Sequence, residues 1–463
     1  MKFRYYHQIE SKNINRYMFI TFTSTFLIFL TSCFSKDVNS VKNQSKTDTI
    51  SILVDQNNKP NLVEKDSFVS LQNRRIIQSK VMNPKAENSV YEPAINSPKS
   101  ATYTKDGKKI YINSLEGYTT VVFDAVTLNK IKEIKHEFTA KNNYLFKNND
   151  SNVFDYKYKQ ERKEFNHFLG KPVESCLSHD GKYLWVTYYR RDWDSKAESP
   201  SAVAIIDTEI DEIVRVIPTG PLPKMVVASP NNKFIAVTHW GDNTVALIDI
   251  SSSNPMDFNY KAHIVVDYRL AMDFNADTNR DSECGNCLRG TIFTPDSKKL
   301  LVAKMGGNGI AIIDVDKQEM VGTITGSYLN LRHLIINKDE LFLSSNKFGM
   351  VQRANLYDLF NIELDDKKIL NFKDWNSVKL GTGVRTIDVT KNNKYIFACV
   401  NNDSKIAVID ANRMEKIFEI DVASFPVGMA LSPDEKQLVV TSQGKSSTVG
   451  SGNTVTVYDV IYN

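Results

Sequence analysis

Cysteine is scarce in this sequence, with five residues in 463. In the run Cys284-Gly285-Asn286-Cys287, covalent haem c would need a histidine next, and Leu288 stands there instead. Structural zinc would need two further ligands at suitable spacing, and none is near. Charge of one sign is equally short. A net +4 spread over this length is no concentrated basic face, so nucleic acid is not an expected partner. No segment shows sustained 3.6-residue periodicity, which argues against a helical architecture. The apolar run Met18 to Leu30 has thirteen residues, too few for a mature bilayer span of about 20. With 41% apolar and 24% charged residues, the chain can still bury a sizeable core, and wholesale disorder is excluded.

The N-terminus places Lys2, Arg4, Lys12 and Arg16 ahead of that apolar run and Leu30-Thr31-Ser32-Cys33 behind it, the charged, apolar and small-residue order of a secretory signal. Leu30 to Cys33 resembles the lipobox of bacterial lipoproteins. The resemblance implies a signal peptide over 1–32, removed on export, and diacylglycerol plus an acyl chain on Cys33, more than the two lipid signals stable anchoring requires. Phe34 is not an inner-membrane retention signal of the Asp type, so by the same resemblance the anchor leans to the outer membrane. Residues 33–66 are rich in Ser, Asn, Lys and Asp; such a stretch buries too little apolar area to offset ordering entropy and reads as a flexible tether.

Repetition dominates the remainder, 67–463. Seven turns of one type occur, at Thr104, Ser178, Ser229, Thr294, Asn337, Thr390 and Ser432. Asp, Asn, Pro and Gly close such turns, so each marks a hairpin. A β-rich run follows each turn, and a third run ends in Asp, as in VAIIDT and VALIDI; only MVQRAN, at Met350, departs from this pattern. Short runs rich in Val and Ile, bounded by turns, indicate strands buried on both faces. Four strands in roughly 40 to 50 residues is the period of a propeller blade. The expected fold is therefore an all-β, seven-bladed β-propeller. The last unit ends after its third strand, and Arg74 to Asn83, within the leading stretch 67–100, is expected to supply the missing outer strand and close the ring.

The stretches LSHDGKYLWVT (Leu177 to Thr187) and SPNNKFIAVTHWGDNTVALIDI (Ser229 to Ile250) resemble the repeats of YVTN-type β-propeller proteins, over about residues 95 to 463. The resemblance implies an exported binding or scaffold protein, with some relatives acting as lactonases or as dehydrogenase subunits.

If the first strand of each blade lines the axis, the seven turns share one rim, the bottom, and the longer loops share the top. Insertions at 138–170, 188–201 and 268–288 then crowd one corner of the top, and loops on a rigid scaffold commonly carry function. Tyr188, Tyr189, Arg190, Arg191, Trp193, His239 and Trp240 would approach this corner, either as an interface centre or as cover for their own blades. Five residues before each turn stand Lys99, Val173, Lys224, Arg289, Arg332, Arg385 and Val427. Five of the seven are basic, which predicts a cationic collar at the top mouth of the channel, balanced by an anionic ligand or by neighbouring carboxylates. The 268–288 insertion offers Asp273, Asn275, Asp277, Asn279 and Asp281, oxygen donors of the kind calcium takes, or else a solvated acidic loop answering the collar. Calcium is the one cofactor considered. In an exported protein Cys284 and Cys287 read as a local disulfide, and Cys176 and Cys399 as buried thiols.

The combined expectation is a monomeric, lipid-anchored binding or scaffold module of the cell envelope, taking an envelope protein, a polysaccharide or a small anionic ligand at blades 2–4 and the basic channel mouth. A lactonase-like hydrolase with a channel metal and a subunit of a periplasmic redox enzyme are the alternatives. Replacing Cys33 with Ala should move the protein from the membrane to the soluble fraction on centrifugation of lysed cells; an unchanged membrane fraction would refute the lipid anchor.

Overall fold

The structure, a computed structural model, describes residues 69–79, 88–147, 154–159, 164–271, 278–362, 365–444 and 452–463. The expected signal segment, Cys33 and the tether lie outside these residues.

Seven antiparallel sheets stand around one axis as a β-propeller. The innermost strands are Pro98–Tyr103, Phe168–Ser178, Pro223–Ala228, Leu288–Phe293, Leu331–Asn337, Val384–Val389 and Pro426–Leu431. Within a blade the chain steps outward strand by strand; in blade 3 it continues through Phe234–His239, Thr244–Asp249 and Asn259–Val265.

The turns carry a repeated chemical device. The hydroxyls of Thr104, Ser229, Thr294, Thr390 and Ser432 each accept the backbone N–H five residues on, at 2.9 to 3.0 Å. Each also donates to the Asp or Asn two residues on, as Thr104 does to Asp106 at 2.6 Å. A short polar side chain thereby satisfies turn backbone that no ladder reaches. The aspartates ending third strands act likewise: Asp124 accepts from Val126 and Thr127, and Asp410 from Asn412 and Arg413. They bond their own turns.

The buried apolar side chains fall into seven clusters, one for each pair of neighbouring blades. Leu184, Val186 and Tyr188 of blade 2 meet Tyr111 and Val122 of blade 1, while Trp185, Val203 and Ile205 on the opposite face meet Ile235 and Val237 of blade 3. Alternate residues of one strand therefore enter two cores, which is why these strands lack the apolar-polar alternation of a half-exposed sheet.

Val69–Gln78 closes the ring as the outer strand of blade 7, antiparallel to Thr454–Tyr462. It begins five residues before the expected Arg74, and 80–83 lie outside the described residues. A bulge between Asn73 and Arg75 explains how one strand serves two cores. Val69 and Leu71 pack toward blade 6, and the extra residue reverses the parity so that Ile77 packs toward blade 1.

Blade 5, whose sequence departs from the pattern, departs in structure too. Its third strand Met350–Asn355 runs into a short helix, Leu356–Phe360, which Asn355 caps by accepting the N–H of Tyr357 and Asp358. The chain then adds Ile369–Asn371 in parallel to the outer strand Glu319–Thr325 of blade 4 before Asn376–Lys379 completes blade 5.

Ile77 is 2% exposed, so Ile77→Ala should cost about 2 to 5 kcal/mol in urea unfolding. A cost within error of zero would mean that closure does not hold the ring.

Candidate functional site

The collar positions share a structural cause that their residue types do not reveal. In all seven blades the pairing of the innermost strand with the second strand shifts register at the collar residue: across Lys99, Val173, Lys224, Arg289, Arg332, Arg385 and Val427 in turn. A β-bulge leaves a residue out of the ladder and re-aims its side chain. Here the repeated bulge brings five cations within electrostatic range of one another, and Lys99 feels Arg385, Arg289, Lys224 and Arg332 together. Glycine follows the collar residue twice. A Cβ on Gly428 would lie 2.2 Å from the Lys99 carbonyl oxygen, and one on Gly290 would lie 3.0 Å from the backbone nitrogen of Leu334.

Compensation is partial. Arg289 donates to Glu174 at 2.6 Å and to the Lys224 carbonyl at 3.2 Å. Lys224 lies 3.4 Å from an Asp281 carboxylate oxygen. Lys99 donates to the Gln443 amide oxygen at 3.2 Å, Arg385 to the Val427 carbonyl at 3.1 Å, and Arg332 only to the sulfur of Met305. No carboxylate among the described residues pairs with Lys99, Arg332 or Arg385. The Nε atoms of Arg289 and Arg332 are buried and without an acceptor. Burial, with repulsion from Arg385 and the other cations, holds Lys99 well below the usual lysine range. Burial pushes Lys224 down to about 7, against the opposing pull of Asp281, and Arg385 down to about 10. The collar thus carries more positive charge than its surroundings neutralise.

The top corner meets the collar at Lys224. The Lys224 ammonium sits 3.8 Å from the Tyr189 ring centre and 5.1 Å from that of Trp240, close enough for cation–π attraction. Trp240 donates its indole N–H to the Asp281 carbonyl at 3.2 Å. Of the two tyrosines expected at this corner, Tyr189 is the one that meets Lys224.

Three of the residues expected at this corner, Tyr188, Arg191 and His239, are corrected by full burial. Tyr188 is fully buried between blades 1 and 2, its hydroxyl 2.9 Å from Nδ1 of His136; alternation along Tyr183–Arg191 sends it toward blade 1 and Tyr189 toward Lys224 of blade 3. His239 is also fully buried, bonded to Thr219 at 2.7 Å and Thr244 at 2.8 Å, and burial holds it neutral, far below the ordinary histidine range. Trp193 packs against the core shared by blades 1 and 2, and Arg190 bonds the Ser195 carbonyl of its own loop. The described part of 138–170 buries Phe138, Leu145, Phe146 and Phe168 in that same core, so much of this insertion covers the scaffold.

Of the five residues considered for calcium, Asp273, Asn275 and Asp277 lie outside the described residues. The carboxylate of Asp281 is turned to Lys224, and Asn279 accepts the N–H of Asp281 at 3.1 Å. No group of three or more His, Cys, Asp or Glu side chains able to hold a metal occurs among the described residues. Cys284 and Cys287 form a disulfide at the base of this loop; Cys399 is buried and Cys176 partly so.

On the opposite side a cavity of about 1070 Å³ opens among the bottom turns, lined in part by Ser100, Thr102, Glu174, Ser175, His333 and Asp388. Glu174 belongs to both regions, since it lines this cavity while pairing with Arg289. The residues give no sign of a cavity here, because its size depends on how far apart seven innermost strands stand.

These features define a channel-lined β-propeller. No protein family and no curated protein matches the chain. Among solved structures it is similar to Kuenenia stuttgartiensis hydrazine synthase at 17% identity and a TM-score of 0.52, covering 79% of this chain and 96% of that one. It is also similar to the Cps50 (Swd1) β-propeller domain of Myceliophteria thermophila, at 12% identity, a TM-score of 0.51, and coverage of 79% and 97%. A chain of a mitotic checkpoint complex is similar at 12% identity and a TM-score of 0.53, over 87% of this chain and 98% of that one. At such identities the likeness is one of fold.

Groups kept for binding cost stability when nothing is bound. Arg332→Met should therefore stabilise the ligand-free protein by about 1 kcal/mol in urea unfolding at low salt; a marked loss would identify Arg332 as a structural support.

Proposed function

We propose that this chain is a binding and scaffold propeller of the cell envelope, held by a lipid on Cys33, whose top face at the channel mouth takes an anionic ligand or an acidic partner. The carrying observation is the set of five cations presented on repeated bulges, with Glu174 and Asp281 as their only carboxylate partners among the described residues. Excess charge focused in a walled channel draws anions of complementary shape. The lipobox-like Leu30 to Cys33 and the YVTN-like repeats favour an exported protein held at the outer membrane, on its periplasmic or its surface side, that acts with another envelope component. A hydrolase with a metal in this part of the channel fits poorly, because the groups aimed at the axis are cations, which repel a metal ion.

The combined variant Arg289→Gln, Arg332→Gln and Arg385→Gln should lose at least about 100-fold in affinity for anionic partners recovered from solubilised envelope, while keeping its β-sheet circular dichroism. Unchanged affinity in the folded variant would remove the collar from the binding surface.

A further inference from the structure

We infer that the collar is a site for a small oxyanion carrying two or more negative charges, of the phosphate or polycarboxylate class, seated on the channel axis. This rests on the reading of the top face as an anion-binding surface and narrows it from anions in general to a compact, multiply charged one.

Charge sets the valence. When all five basic side chains are protonated they face two carboxylates among the described residues, so a single negative charge would leave the protonated collar positive. Donor geometry sets the chemistry. The buried Nε atoms of Arg289 and Arg332 have no acceptor, and Arg385 commits only its Nε, to the Val427 carbonyl. Guanidinium groups with donors free in several directions suit an ion whose oxygens also point several ways. Enclosure sets the size. The side chains of Arg289 and Lys224 are only 5% and 12% exposed, and Tyr189 and Trp240 flank Lys224. A stiff polymer lying across the rim would not reach inside to these groups, whereas a small ion can.

Asp281 already shows the kind of group the site accepts. It stands three residues before the Cys284–Cys287 disulfide and places a carboxylate oxygen 3.4 Å from Lys224. One oxygen of the bound anion would extend that arrangement toward Arg289 and Arg332.

Binding is coupled to protons. With Lys224 held down to about 7 and Lys99 also lowered, both by burial and repulsion, an incoming anion favours their charged forms and draws protons in. Affinity is therefore highest below about pH 7 and falls as the pH rises through the Lys224 value.

Calorimetric titration of the full-length protein in detergent tests this, with pyrophosphate and citrate as probes, acetate as the monovalent control and dextran sulfate as the polymer control. At least one probe should bind one to one, at least about 100-fold more tightly than acetate, and weaken about tenfold or more between about pH 6 and about pH 9. The measured heat should vary with the buffer's ionisation enthalpy, as proton uptake demands. Arg332→Gln should lose affinity about tenfold or more, and Lys224→Met should abolish most of the proton uptake, each verified as folded by its melting curve. Acetate binding as well as the probes, or failure of both probes with natively melting protein, would overturn the inference. Dextran sulfate binding alone would overturn it while leaving the broader anionic reading standing; failure of all four anions, with envelope capture indifferent to the triple variant, would end both.

Discussion

Apolar contact between neighbouring sheets is the constraint on which the rest of this molecule depends. Each blade buries both faces, one against the blade before it and one against the blade after, so no blade completes its core alone. Such an arrangement is stable only as a closed ring, because a first or last blade without a neighbour would present a full apolar face to water. The outer strand borrowed from upstream, Val69–Gln78, follows from that requirement. Its bulge lets one short strand contribute to the cores on both sides of blade 7.

The same ring builds the channel. Seven innermost strands converge on one axis, and each carries a bulge at the same height. A bulge takes one residue out of the ladder and sends its side chain elsewhere. Repeated around an axis, this turns a local irregularity into a collar. Where the bulged residue is Val173 or Val427 the wall is apolar there, and next to Val173 the chain supplies Glu174, which pairs with Arg289 across the channel. The arrangement is asymmetric: Glu174 and Asp281 pair directly with Arg289 and Lys224, while Arg332 and Arg385 have no carboxylate partner among the described residues and feel Glu174 only at longer range. Self-repulsion of this kind is unfavourable in an empty channel.

Much of the fold was legible in the residues. Turn hydroxyls at fixed spacing, third strands ending in Asp and the interrupted last unit led to seven blades and a closing strand, because those signals arise from local chemistry repeated seven times. Counting back five residues from each turn reaches the same structural position, the bulged residue of the innermost strand. Aromatic residues were harder to place. Tyr188 and Tyr189 are adjacent and chemically alike, yet strand alternation buries the first between blades and turns the second toward Lys224; parity in a strand buried on both faces leaves no mark in composition. His239 and Trp240 divided the same way, the histidine going to a buried polar network and the tryptophan to the channel mouth.

The order of the strands, the number of blades and the identity of the five collar cations were determined by the amino-acid sequence alone, because turn propensity and spacing act over a few residues and repeat. Only the tertiary structure decided that the collar residues sit on bulges, that Glu174 and Asp281 pair with two of the cations while no described carboxylate pairs with Arg332 or Arg385, and that a large cavity opens toward the bottom turns. Those outcomes depend on distances between side chains more than fifty residues apart. Such distances are set by how tightly seven sheets pack around an axis, a property of the closed ring that belongs to no single repeat.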